Sequence, residues 1–244
     1  MRIGAVLIAA LVVGTGVYGA PGEGPERYIR RFTVQGGEWM RESQVSPNPQ
    51  QSPFTVMWEV TLYPPGSVPT AEQRKAADDL VKRSYQSAEK NNWFDFDKAA
   101  ADGYRMMFDD DLHYANETYI LDDAVLDPGR PEFLMYYPTR EGKKLAGYMF
   151  LTNEPRARGP QIDGPLIVWH YHTLAVDECF LKGLLIMGRP ENGECARGVK
   201  MRRTPEMVHV WLIDHPAGHF ATQMGIDRNL LAELLDRRYR ERGH

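Results

Sequence analysis

Along most of the chain, apolar positions come in short runs or alternate with polar ones; helical three-to-four spacing is confined to a few segments. "RYIRRFTVQGGEWMRE" and "FTVMWEVTLYP" are rich in aromatic and β-branched residues and predict strands. In the second half "ETYILD", "EFLMYYP", "KLAGYMFLT", "PLIVWHYHTL", "CFLKGLLIM" and "MVHVWLID" predict more, separated by turn-forming "DPGRP", "REGKK" and "RPENGE". Helical spacing begins at Thr70, with Gln73 as its capping-box partner, and puts Ala77, Leu80, Val81, Ser84, Tyr85 and Ala88 on one face. A shorter helix follows in "DFDKAAADGY" and stops at Gly103. A last helix, "DRNLLAELLDRRYRERGH", has Asp227 as its cap and an apolar stripe of Leu230, Leu231, Leu234 and Leu235. This order predicts an α+β fold: a mainly antiparallel sheet or barrel-like core with an N-terminal helical pair and a C-terminal helix.

The first residues do not fit that pattern. Arg2 precedes an apolar run from Ile3 to Val17, and Val17 and Gly19 are small or tolerated residues before a cut after Gly19. The run is short for a membrane span and reads as a signal peptide over residues 1–19. The expectation is one exported α+β domain over 20–244 with a loop-rich N-terminal arm, periplasmic or secreted, with no stable membrane insertion once the signal is removed. Export bears on Cys179 and Cys195, the two cysteines of the chain. In an oxidising compartment an even count favours a disulfide; the competing assignment makes Cys179 a thiolate ligand.

Composition then excludes function classes. At 43% hydrophobic and 25% charged, the 244-residue chain can build a packed core, and its formal net charge of −4 without a basic run argues against nucleic acid as a partner. There is no G-x-S-x-G elbow, P-loop or dinucleotide fingerprint.

The chemistry lies in "PLIVWHYHTL". Period-two alternation places Leu166, Val168, His170 and His172 on one face. Next-but-one residues of a strand are about 7 Å apart, and two imidazoles at that spacing can converge on one ion. His209, on "MVHVWLID", is a third candidate ligand and His113 a fourth; Glu132 and Asp177 are carboxylate candidates. His215 and His219 have helical ligand spacing, but Pro216 and Gly218 oppose a helix there, which leaves them supporting or rim positions.

Gly164, His170, His172, Asp177 and Gly183 resemble the first metal-binding motif of the cupins, with Asp177 in place of the glutamate; Gly198, Pro205 and His209 loosely follow the second. The resemblance implies a three-histidine site in a small barrel. "AAADGY", "HYAN", "LDPGRPEFLMYY" and "VHVWLIDHPAGHF" together resemble a group of exported bacterial proteins of unknown function. That resemblance implies that His113, Asn116, Glu132 and His209 form one constellation, and it names no reaction.

The cofactor expected is one transition-metal ion: zinc, iron, manganese or copper. The methionines are scattered along the sequence, which speaks against a copper-trafficking site. Two functions remain open. One is a mononuclear histidine-ligated metalloenzyme with an open coordination position and a small-molecule substrate; the other is a non-catalytic periplasmic metal-binding or structural protein. A third assignment makes the histidines structural hydrogen-bonders.

Overall fold

The computed structural model describes residues 29–35, 38–44, 54–64, 66–107, 111–162 and 164–241. The proposed signal peptide, 1–19, lies outside the described residues. In chain order the elements are strands β1 (Ile29–Gln35), β2 (Glu38–Gln44) and β3 (Phe54–Thr61), helices α1 (Ala71–Lys90) and α2 (Phe96–Ala101), then β4 (Arg105–Met106) and β5 (His113–Ala115). Helix α3 (Glu117–Leu121), strands β6 (Phe133–Thr139), β7 (Gly142–Leu151), β8 (Trp169–Phe180), β9 (Val199–Arg203) and β10 (Met207–Trp211), and helix α4 (Arg228–Glu241) complete the fold. Among these residues no helix is long and apolar enough to cross a membrane.

The strands form one antiparallel sheet in the order β1-β2-β3-β8-β10-β7-β6-β5-β4, with β9 also paired to β8. Among the described residues β1 and β4 are the two ends of an open sheet. The α+β class follows from this sheet and its helices.

Local chemistry accounts for the helix ends. Thr70 accepts from the Gln73 backbone N–H while the Gln73 side chain accepts from the Thr70 N–H, a reciprocal capping box. Ala77, Leu80, Ser84 and Ala88 are the buried residues of α1, matching the predicted face. Asp227 Oδ1 accepts from Asn229 and Leu230 to cap α4. "ETYILD", expected as a strand, is largely helix α3. Its β-branched and aromatic residues suggest a strand, but Asn116 accepts from the Thr118 and Tyr119 N–H groups and starts a helical turn. "CFLKGLLIM" is likewise not one strand: β8 ends at Phe180, and the chain turns back to bridge Phe180 to Ile186. Residues Gly164–Leu166 form a single 3-10 turn, so β8 begins only at Trp169.

Each face of the sheet has its own core. Leu134, Tyr136, Tyr148, Phe150, Val208 and Val210 pack with Leu80 of α1 and Ala99 of α2. Phe133, Met135, Met149, Leu151, Met207 and Trp211 pack on the other face with Ile120 of α3 and with Leu234 and Leu235 of α4.

Two predictions arise from this packing. Gly159 lies against the fully buried Trp169 ring; a Cβ there would sit 1.9 Å from Trp169 Cδ2. Overpacking next to a locked indole should make Gly159→Ala less stable by about 3 kcal/mol, read from urea unfolding midpoints. An unchanged midpoint would show that the Trp169 pocket yields. Cys179 and Cys195 form a disulfide with a Cα–Cα distance of 5.8 Å and a separation of 16 residues. This settles the pairing against Cys179 as a thiolate ligand. Replacing both cysteines by serine should cost about 3 kcal/mol of stability by loop-closure entropy. Cys179 is seven positions along β8 from His172, roughly 23 Å at strand rise, so metal uptake should be unaffected in the same samples.

Candidate functional site

Four histidines meet on one face of the sheet. Period-two alternation puts His170 and His172 of β8 on the same side. Register brings β10 alongside: Met207 is the direct partner of His170, so His209, two residues on, lies diagonally across from it on the same face. His113 enters from β5, two strands beyond β7. The ring centres of His170 and His209 are 4.8 Å apart, those of His170 and His172 5.5 Å, and those of His113 and His209 6.2 Å. Two imidazoles sharing an ion, with nitrogen–metal distances near 2 Å and angles between 90° and tetrahedral, have ring centres about 4.5–5.2 Å apart. The first pair falls in that range, the second lies just above it, and His113 would have to approach by about 1 Å. Among the described residues no three His, Cys, Asp or Glu side chains already stand in a coordination arrangement, so a shared ion requires these rings to turn.

The histidines are buried: His170 is 0% exposed, His209 3% and His113 9%, while His172 is partly exposed. Burial, reinforced by the neighbouring imidazoles, holds His170 well below the usual histidine range. Burial first, then His113, brings His209 down to about 3 and His172 to about 4. These three rings are therefore neutral at physiological pH, the form that offers a lone pair to a metal.

The protein orients one of these rings by a hydrogen bond. The His209 Nδ1–H donates to the Ala221 carbonyl at 3.2 Å, which leaves Nε2 with its lone pair. The same carbonyl accepts from Trp211 Nε1–H at 2.8 Å, fixing both side chains to one loop. The start of β10 is pinned as well: the Glu206 carboxylate accepts from Gly159 N–H at 2.9 Å and pairs with Arg158, and its carbonyl accepts from Thr152 N–H. His170 differs. Neither of its ring nitrogens makes a hydrogen bond of ordinary distance and angle; the Val168 backbone is a weak polar neighbour whose influence is smaller than those of burial and the other imidazoles. A buried polar group left in that condition costs about 1–3 kcal/mol.

The remaining sequence candidates lie elsewhere or play other parts. The Glu132 carboxylate accepts from Leu151 N–H at 3.4 Å, and the charges acting most on it are Asp122 and Asp127, not an imidazole. Burial raises it to about 8, so it is largely protonated at neutral pH. Asn116 caps α3 and donates to the Asp102 carbonyl. Asp177 is partly exposed on β8, five positions past His172, where β8 pairs β9. His215 packs on Trp211 with ring centres 4.7 Å apart, and its Nδ1 accepts from Ala217 N–H. His219 Nδ1 bonds to the Trp211 carbonyl at 2.8 Å. Both histidines thus buttress the loop that holds His209.

The sequence alone did not single out Glu59. It is the direct β3 partner of His170, 4% exposed, and its carboxylate accepts from the Thr222 hydroxyl and pairs with Arg41. "MWE" opposite "HYH" is visible only once register is known. No protein-family model, curated protein or solved structure matches the chain.

Proposed function

We propose that the chain is an exported metal-binding protein in which His170, His172 and His209 hold one transition-metal ion, with His113 as the fourth imidazole. The observation that carries this reading is His170: a fully buried ring with two unpartnered nitrogens, set 4.8 and 5.5 Å from two other neutral imidazoles. An ion shared by the three supplies the partner His170 lacks. Glu59 does not add a ready ligand, because its carboxylate is engaged by Arg41 and Thr222. The donor set is therefore nitrogen-rich, which favours zinc, copper or iron over manganese.

A metalloenzyme is the second reading, favoured by one feature. His172 is partly exposed whereas the other three histidines are buried, so solvent approaches the cluster from the His172 side. A position open on that side would let the ion polarise a small substrate or activate water.

The test is elemental analysis of protein isolated from its native compartment, with calorimetric titration of chelated protein with zinc. One bound equivalent is expected. Protein that is metal-free as isolated and takes up no zinc, copper or iron on titration would leave the histidines as structural residues.

A further inference from the structure

Strand register pairs each of the four histidines with a methionine. His113 lies directly across from Met135, and His209 across from Met149. His170 is partnered by Met207, and His172 by Met57. Directly paired residues share a face of the sheet, with Cβ atoms about 4.5–5.5 Å apart. A methionine side chain is long enough for its thioether to reach across that gap.

Packing alone does not explain this placement. Methionine is a general gap-filler and would be expected on both faces of the sheet. The core under α1 and α2 contains Leu134, Tyr148, Phe150 and Val208 from the same central strands, but no methionine among its described buried residues. The histidine face holds Met135, Met149 and Met207 in its core, each at most 3% exposed. On strands β3, β6, β7 and β10 the buried methionines all lie on the histidine face; Met40 of β2, packed with Val60 and Tyr171, is the buried methionine described on the other.

Neutral imidazole combined with thioether is the donor set that favours a soft, monovalent d10 cation over harder divalent ions. We infer that the four-histidine cluster, with the methionines paired to it, is a site for copper(I). This rests on the metal-binding reading above and narrows it to one ion and oxidation state. The thioethers confer the preference for copper(I); the imidazoles confer metal binding as such.

The test uses the full mature chain, stripped with chelator and handled without oxygen. Copper(I) affinity is measured by competition with bicinchoninate, and zinc affinity by competition with a chromogenic zinc indicator. The variants are Met149→Leu/Met207→Leu, which nearly conserve volume, and His170→Ala. The wild type is expected to take one copper(I). The double methionine variant should lose about tenfold or more in copper(I) affinity while its zinc affinity stays within about threefold, and His170→Ala should weaken both metals. Equal copper(I) affinity in the wild type and the methionine variant would make the methionines packing residues and overturn the inference, leaving the histidine site intact. A wild type that binds zinc but not copper(I) would do the same. Unchanged binding of both metals by His170→Ala would instead remove the site on which the inference rests. Should the methionine variant not fold, copper K-edge absorption on the wild type decides: sulfur in the first shell is expected, and a shell of nitrogen and oxygen alone overturns the proposal.

Discussion

His170→Ala is expected to bind metal at least about 100-fold more weakly than the wild type while remaining folded. His170 is the hub of the cluster, the only one of its imidazoles with two others near enough to share an ion without large movement. Its removal leaves His172 and His209 without a common partner between them. The cost to folding should be small or even favourable in metal-free protein, because alanine deletes two buried nitrogens that have no hydrogen bond. That gain offsets part of the cavity left by the ring. Thermal melts with and without added metal separate the two effects. The wild type should gain several degrees on metal addition and the variant almost none, since a ligand stabilises only in proportion to its binding. Glu132→Gln is the companion control: the carboxyl is largely protonated at neutral pH and faces Leu151, so metal affinity should not change. A variant that retains full metal affinity, or a Glu132→Gln that loses it, would show the centre to be somewhere other than around His170.

Which parts of this were legible in the sequence follows from the range of the interactions involved. Helix α1 was readable because its cap and its buried face are set within three or four residues of one another. The pairing of His170 with His172 was readable for the same reason: period two is a local property of a strand. Joining them to His209 is a matter of register. β10 pairs with β8 at a single position, Met207 to His170, and is reached only after the chain has run back along β8 as β9. Nothing local encodes that contact. The methionines show the same limit more sharply. Along the chain Met57, Met135, Met149 and Met207 are scattered, which speaks against a copper-trafficking site; across the strands each faces a histidine. Helix α3 was missed for a different reason. Its composition favours a strand, and a single asparagine cap overrides that weak preference.

Metal-free protein should lose stability steeply as the pH falls below about 6.5. In the unfolded chain each histidine titrates near that value. In the fold, burial holds His209 at about 3, His172 and His215 at about 4, and His170 well below 6.5. Between the unfolded and folded values the unfolded chain binds more protons, so stability rises with pH across the window and falls as acid is added. Above pH 6.5 the rings are neutral in both states and contribute no slope. Each group contributes up to about 1.4 kcal/mol per pH unit once the unfolded chain is protonated. Four together approach roughly 5 kcal/mol per unit; Glu132, held protonated up to about 8, acts with the opposite sign by about 1.4 kcal/mol per unit and leaves a net slope of roughly 4, still a large share of the 5–15 kcal/mol by which a typical domain is stable. Carboxylates held low by ion pairs, such as Asp79 and Asp102, lose their contribution only below about pH 4, so the net loss of stability between pH 6.5 and 4 comes from the histidines. Bound metal should flatten the curve near neutrality, because it adds stability that holds until protons compete for the rings. Urea unfolding midpoints in chelator at pH 7.5, 6.0 and 5.0, compared with the same series in excess metal, measure this. A metal-free midpoint that stays level from pH 7.5 to 5.0 would show that these imidazoles are readily protonated in the fold, against the burial that holds His170 and His209 neutral.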